Sequence, residues 1–189
     1  MSMFLQFAPW LAFLVVTDVA DWRLGLAAGL IATIATILAS KPRRVGVLNA
    51  AMIVFFVVMG AFAVMRPESG LQDWAGTIST AWIAVVSAAS ILLGHPFTLD
   101  FSRDGVSGEI AASTLFLDIN RSIAWAWTGA FAVMAASRSI AHAVDAPWLA
   151  TALTVIALIA AIKFTKAYPD RAVADATGRP APAIGRAAR

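Results

Sequence analysis

Charged side chains in this 189-residue chain fall almost entirely between six apolar stretches, at residues 3–17, 24–39, 45–65, 74–94, 119–141 and 148–165. This arrangement limits the fold more than any motif does. Most apolar positions have no polar face to alternate with. Leu30 to Leu38 and Ile53 to Val58 are apolar or small all round, as in a lipid-embedded helix. A transmembrane barrel strand needs only ~9–11 residues but alternates apolar with polar, and these stretches do not. The first two, at 15 and 16 residues, fall short of the ~20 that cross a bilayer core, so they are expected to thin the membrane or to extend through their flanks.

Composition agrees. The chain is 60% hydrophobic and 13% charged, against roughly 45–50% and 25% in soluble domains, leaving too few polar side chains to cover a water-exposed surface. The expected fold is therefore all-α: a polytopic membrane bundle of six short transmembrane helices over residues 1–167. Residues 95–118 form a cytoplasmic polar loop or interfacial segment, and residues 168–189 a disordered cytoplasmic tail rich in Ala, Pro and Arg. Met1 to Gln6 lack Lys and Arg, so the first stretch is expected to be retained rather than cleaved as a signal.

The net charge of +3 does not point to nucleic acid, because the basic residues are not gathered on one face. They carry topology instead. Lys41, Arg43, Arg44, Arg103, Arg121, Lys163, Lys166, Arg171, Arg179, Arg186 and Arg189 fall on one side of a six-span chain, and only Arg23, Arg66 and Arg138 on the other. The positive-inside rule then predicts both termini in the cytoplasm. Trp10, Trp22, Trp74, Trp82, Trp125, Trp127 and Trp148 supply interface anchors, four of them close to a span end, with Trp10 and Trp82 deeper and packed between helices.

No catalytic, cofactor or metal constellation is evident. The chain has no cysteine, and His95 and His142 are predicted on opposite sides of the bilayer. The densest polar segment is the fourth connection, which brings His95, Asp100, Arg103, Asp104, Glu109 and Asp118 together, with Arg121 one turn beyond. Phe97, Leu99 and Phe101 alternate there with Thr98 and Asp100, predicting a half-buried extended or interfacial stretch. Two readings stand: a cytoplasmic recognition surface or cavity rim where Arg103 or Arg121 holds an anionic group, and a solvated loop whose acids pair with neighbouring Arg. Asp18 and Asp21 end the first stretch within reach of the interface, Asp18 being the functional candidate of the two, and Asp21 to Arg23 form a polar turn anchored by Trp22.

Gly25 and Gly29 form a GxxxG face for close helix approach. Gly60 and Gly129 are further packing candidates, each opening a GAFAVM segment, Gly60 to Met65 and Gly129 to Met134. The repeat reads either as a duplicated hairpin or as a coincidence in a small alphabet. Ser79, Thr80, Ser87 and Ser90 are expected to bond back to helix carbonyls.

Several segments together resemble the intracellular septation protein A family of small bacterial inner-membrane proteins. They are Phe4-Leu5-Gln6-Phe7-Ala8-Pro9 with Phe13, the acidic turn, the basic turn from Lys41 to Arg44, a helix opening at Trp74, His95-Pro96-Phe97, and Ala124-Trp125-Ala126. The resemblance covers about residues 3–167, whereas the segment from Asp100 to Asp118 is longer than usual and the tail is unlike the family's short end. It implies a non-enzymatic role in cell-envelope maintenance or division through contacts with other membrane proteins, and no catalytic residues. The partners expected are the lipid bilayer and membrane proteins of division or envelope synthesis, with a homo-oligomer as one arrangement. Two other classes compete: a small-molecule transporter or channel, and a lipid or isoprenoid enzyme using Asp100, Asp104 and Glu109 as acids.

Overall fold

The computed structural model describes residues 7–40, 45–66, 69–104 and 106–178. About 85% of these are helical and none lies in a strand. In chain order the helices are α1 (Ala8–Val19), α2 (Trp22–Ala39), α3 (Val47–Met65), a 3-10 turn (Leu71–Trp74), α4 (Ala75–Leu92), two single-turn helices α5 (Leu99–Ser102) and α6 (Gly108–Ala111), α7 (Thr114–Ala143) and α8 (Pro147–Thr177).

Four helical segments are long and apolar enough to cross a membrane: Trp22–Ala39, Val47–Met65, Leu71–Leu92 and Trp148–Thr177. That is fewer than the six expected from the sequence, for two separate reasons. The described helix in the first stretch is short, with an apolar run of only Ala8–Thr17. The fifth stretch lies inside the 30-residue α7, which has the length but is interrupted by Asn120, Arg121, Thr128, Ser137, Arg138 and Ser139. Outward-facing Val15, Ile31, Val58, Val64, Val85 and Ile156 give the spans the apolar exterior that lipid requires.

The chain divides into two compact units, Met1–Val86 and Ser87–Arg189, with the division inside α4. In the first unit, Asp21 ends the α1–α2 turn by accepting the Arg23 amide at 2.8 Å as the N-cap of α2. Trp22, expected at the interface, is buried instead, because the cap turns it inward at the first helical position. The side chain of Asp18 lies outside the described residues. Gly25 sits where a Cβ would overlap the Thr17 hydroxyl and lie 2.9 Å from the Phe13 carbonyl oxygen, and at Gly29 a Cβ would overlap the ring of Phe56. The GxxxG pair thus faces α1 with one glycine and α3 with the other, both inside the chain. Phe13, Phe55 and Phe56 close around this approach with ring centroids 5.5–5.9 Å apart. No atom lies within 4 Å of a Cβ built on Gly60 or Gly129, so these two glycines mark no close helix approach among the described residues.

Hydroxyls in the spans are satisfied locally. Thr33, Thr36, Ser79, Thr80 and Ser90 donate to carbonyls three or four residues back at 2.7–2.9 Å, leaving the helix exteriors apolar. Ser87 departs from the expected pattern: its buried hydroxyl has no hydrogen-bond partner. Trp82 is packed between helices as expected, donating its indole N–H to the Ala51 carbonyl at 2.9 Å.

In the second unit α7 and α8 form a long hairpin through the turn Val144–Ala146, where Asp145 takes a left-handed conformation and the Ala146 amide reaches back to the Ala141 carbonyl. The Trp127 indole donates to the Thr165 hydroxyl at 3.0 Å and the Ser122 hydroxyl to Tyr168 at 3.1 Å. The disordered tail expected from Tyr168 onward is corrected over its first ten residues. Helix α8 runs on through Pro169 to Thr177. The cause is local: Ala167, Ala172, Ala174 and Ala176 favour helix, and one proline removes a single backbone donor from a helix already braced at Thr165 and Tyr168. Residues 179–189 of that predicted tail lie outside the described residues.

Candidate functional site

The connection between α4 and α7 is built rather than loose. Helix α4 ends at Gly94, whose φ of +78° lets the His95 amide return to the Ser90 carbonyl at 2.9 Å. Ser90 also receives the Phe97 amide on its hydroxyl at 3.2 Å, turning the chain back against the helix it has just left. Phe97, Thr98 and Leu99 are all buried, so the alternating extended stretch expected here does not form. Instead Thr98 and Leu99 enter the short helix α5. The reason is tertiary: the Thr98 hydroxyl donates to the Asn120 carbonyl on α7 at 2.9 Å, which satisfies a buried polar side chain that an extended strand would turn to water.

Asn120 is itself buried and donates its amide to the Phe116 carbonyl at 2.9 Å. The connection is thereby tied to the second turn of α7. Its further half carries α6, capped by Ser107, and ends at Ser113, whose hydroxyl accepts the Phe116 amide as the N-cap of α7 and donates to the Ile110 carbonyl. Because that cap starts α7 at Thr114, Asp118 lies on a helix and not in the predicted 95–118 loop.

Among the polar candidates, His95 Nε2 lies 3.1 Å from Asp100 Oδ1. Arg103, Asp104, Glu109, Asp118 and Arg121 are exposed, spread over the bend after α5, helix α6 and the first two turns of α7. Among the described residues, no three of the His, Asp and Glu side chains come together as a group that could hold a metal ion. The arrangement presents charges outward from a rigid base. Such a surface can recognise a partner by complementary charge.

The sequence pointed to these charges but not to Ser90, Thr98 and Asn120, the residues that hold the segment in place. Asn120, a lone amide at the edge of an apolar stretch, was the available signal. No family model matches the chain, and no curated protein or solved structure does either.

Proposed function

We propose that the chain is a six-span protein of the bacterial inner membrane, both termini cytoplasmic, that works without catalysis of its own. In this reading it supports envelope maintenance or division by contacting other membrane proteins, in the manner of the septation protein A family that its sequence resembles. The observation that carries the reading is the braced connection. Thr98–Asn120 and Ser90–Phe97 hydrogen bonds fix a segment whose Arg103, Asp104, Glu109, Asp118 and Arg121 face outward. A pre-organised charged surface loses little entropy on binding, which is what a docking element requires. Helical α1 and the long α7 in the first and fifth stretches support six spans, and the one-sided placement of Lys and Arg supports the orientation.

Photoreactive residues at the exposed positions Ser107 and Asp118, crosslinked in cells, test the reading. Capture of division or wall-synthesis membrane proteins is expected. Capture of only the chain itself or lipid overturns it.

A transporter reading draws on a different observation: Asn49 Oδ1 and Ser87 Oγ are buried polar atoms in helices α3 and α4 without hydrogen-bond partners. Solute flux into proteoliposomes above that of empty vesicles would favour it. The lipid-enzyme alternative has the least support, since Asp100 is paired to His95 while Asp104 and Glu109 stand exposed on separate elements.

A further inference from the structure

Lys163 and Lys166 stand one helical turn apart on α8, both exposed, immediately after the outward-facing Val155, Ile156 and Ile159. The opposite face of the helix is the packed one. Ala157 and Ala161 are buried, and Thr165 and Tyr168 bond to α7. At 100° per residue Lys163 therefore points away from α7, in line with the apolar residues that precede it. The two lysines occupy the outward apolar face of a segment long and apolar enough to cross a membrane.

Their depth follows from the other end of the same helix. Trp148 is 70% exposed at the start of α8, and the rise to Lys163 and Lys166 is about 22 and 27 Å, close to the thickness of a bilayer core. The lysines thus reach the far headgroup level, where a long stem lies in hydrocarbon and the ammonium emerges among phosphates. The hydrogen bonds Trp127–Thr165 and Ser122–Tyr168 set the register of α7 beside them. By that register the exposed Trp125 falls at the level of Lys166, and Arg121 one turn further out, at the level of Asp170. Phe164, 37% exposed, adds a ring stacked 4.8 Å from Tyr168. Basic and aromatic side chains gathered at one depth form an interfacial belt.

Lys163 has no acid within one helical turn, whereas Lys166 has Asp170 at i+4 on the same face. Helix α8 has no acid from Trp148 to Pro169, and α7 has none from Ile119 to its end; Asp170, one turn beyond Lys166, lies further toward water. Lys163, held at an apolar surface, draws its counter-charge from outside the helix pair.

We propose that Lys163 and Lys166 form a headgroup site for an anionic phospholipid on the outward face of α8. The site depends only on α8 crossing the bilayer, so it stands or falls apart from the scaffold reading above. It goes beyond a general preference for lipid: the pair selects phosphate-bearing lipid of net negative charge over zwitterionic lipid of the same chain length.

Native mass spectrometry of the purified full chain, incubated with equal amounts of phosphatidylglycerol and phosphatidylcholine of matched acyl chains, tests this. The wild-type chain is expected to retain phosphatidylglycerol preferentially, and the preference to drop about fivefold for each lysine replaced in Lys163→Gln and Lys166→Gln. The pair Lys163→Arg and Lys166→Arg is expected to keep it. Equal retention of the two lipids by the wild type, or an unchanged preference in the double Gln variant, overturns the proposal. Should the double variant fail to fold, rising salt with the wild type decides. A preference that does not weaken overturns the site, and one that falls steadily supports it.

Discussion

The six residues Gly60 to Met65 in α3 and Gly129 to Met134 in α7 are identical in sequence, yet their Phe and Met side chains lie in opposite environments. Phe62 is 40% exposed and Met65 76%, whereas Phe131 is 0% and Met134 1% exposed. The second copy is set in place by its surroundings. Trp127, one turn earlier, is tied to Thr165 on α8 and packs 5.7 Å from the Phe131 ring. Val58, at the corresponding position in α3, faces outward. In lipid, apolar side chains gain little from leaving the solvent, so burial is decided by which helix surface meets a partner and not by hydrophobicity. The repeat therefore marks no shared packing role.

The largest expected break in this contrast comes from Phe131→Ala. Lipid and detergent tails are as apolar as the core, so the lost packing remains without the transfer term, and a destabilisation of roughly 2 kcal/mol is expected. Phe62→Ala should stay within about 0.5 kcal/mol. Unfolding of the purified protein in mixed micelles measures both, and equal losses would mean that the two copies pack alike. Met134→Ala against Met65→Ala repeats the comparison at a smaller scale, with about 1.5 kcal/mol expected for Met134 and near zero for Met65.

Trp127→Phe keeps the ring that packs on Phe131 but removes the donor to Thr165. A loss of about 0.6–1.5 kcal/mol is expected, the range of single hydrogen bonds between membrane helices. Hydrogen exchange at the α7–α8 hairpin should rise with it, and unchanged exchange would show that packing alone sets the register. Smallest of all are Gly60→Ala and Gly129→Ala. Both positions open onto free space, so each variant should be neutral or gain up to about 0.5 kcal/mol in thermal unfolding. A clear loss at either would point to an interface with a second copy of the chain.

Charge, helicity and membrane class were legible from residues because each depends on counting and periodicity. Helices Trp22–Ala39 and Val47–Met65 match their predicted stretches to within a few residues, since apolar runs bounded by polar turns are a local signal. The candidate connection was legible only as a collection of charges. Its fold depends on Thr98 reaching Asn120, 22 residues further along the chain, and no periodicity encodes that contact. The helix through Tyr168 to Thr177 was missed for the same reason: an Ala-rich segment with a proline reads as disordered until a bond such as Ser122–Tyr168 braces it.

From composition and spacing alone, this chain had to be helical and apolar outside, because backbone polar groups in lipid must be satisfied within the segment and few charges are available to face water. Which glycines close against a neighbour, which copy of GAFAVM is buried, and which residues tie the polar connection to α7 were settled only by the tertiary arrangement. Small and apolar residues are compatible with lipid and with a helix partner alike, and the choice between them is made by the contacts of the folded chain.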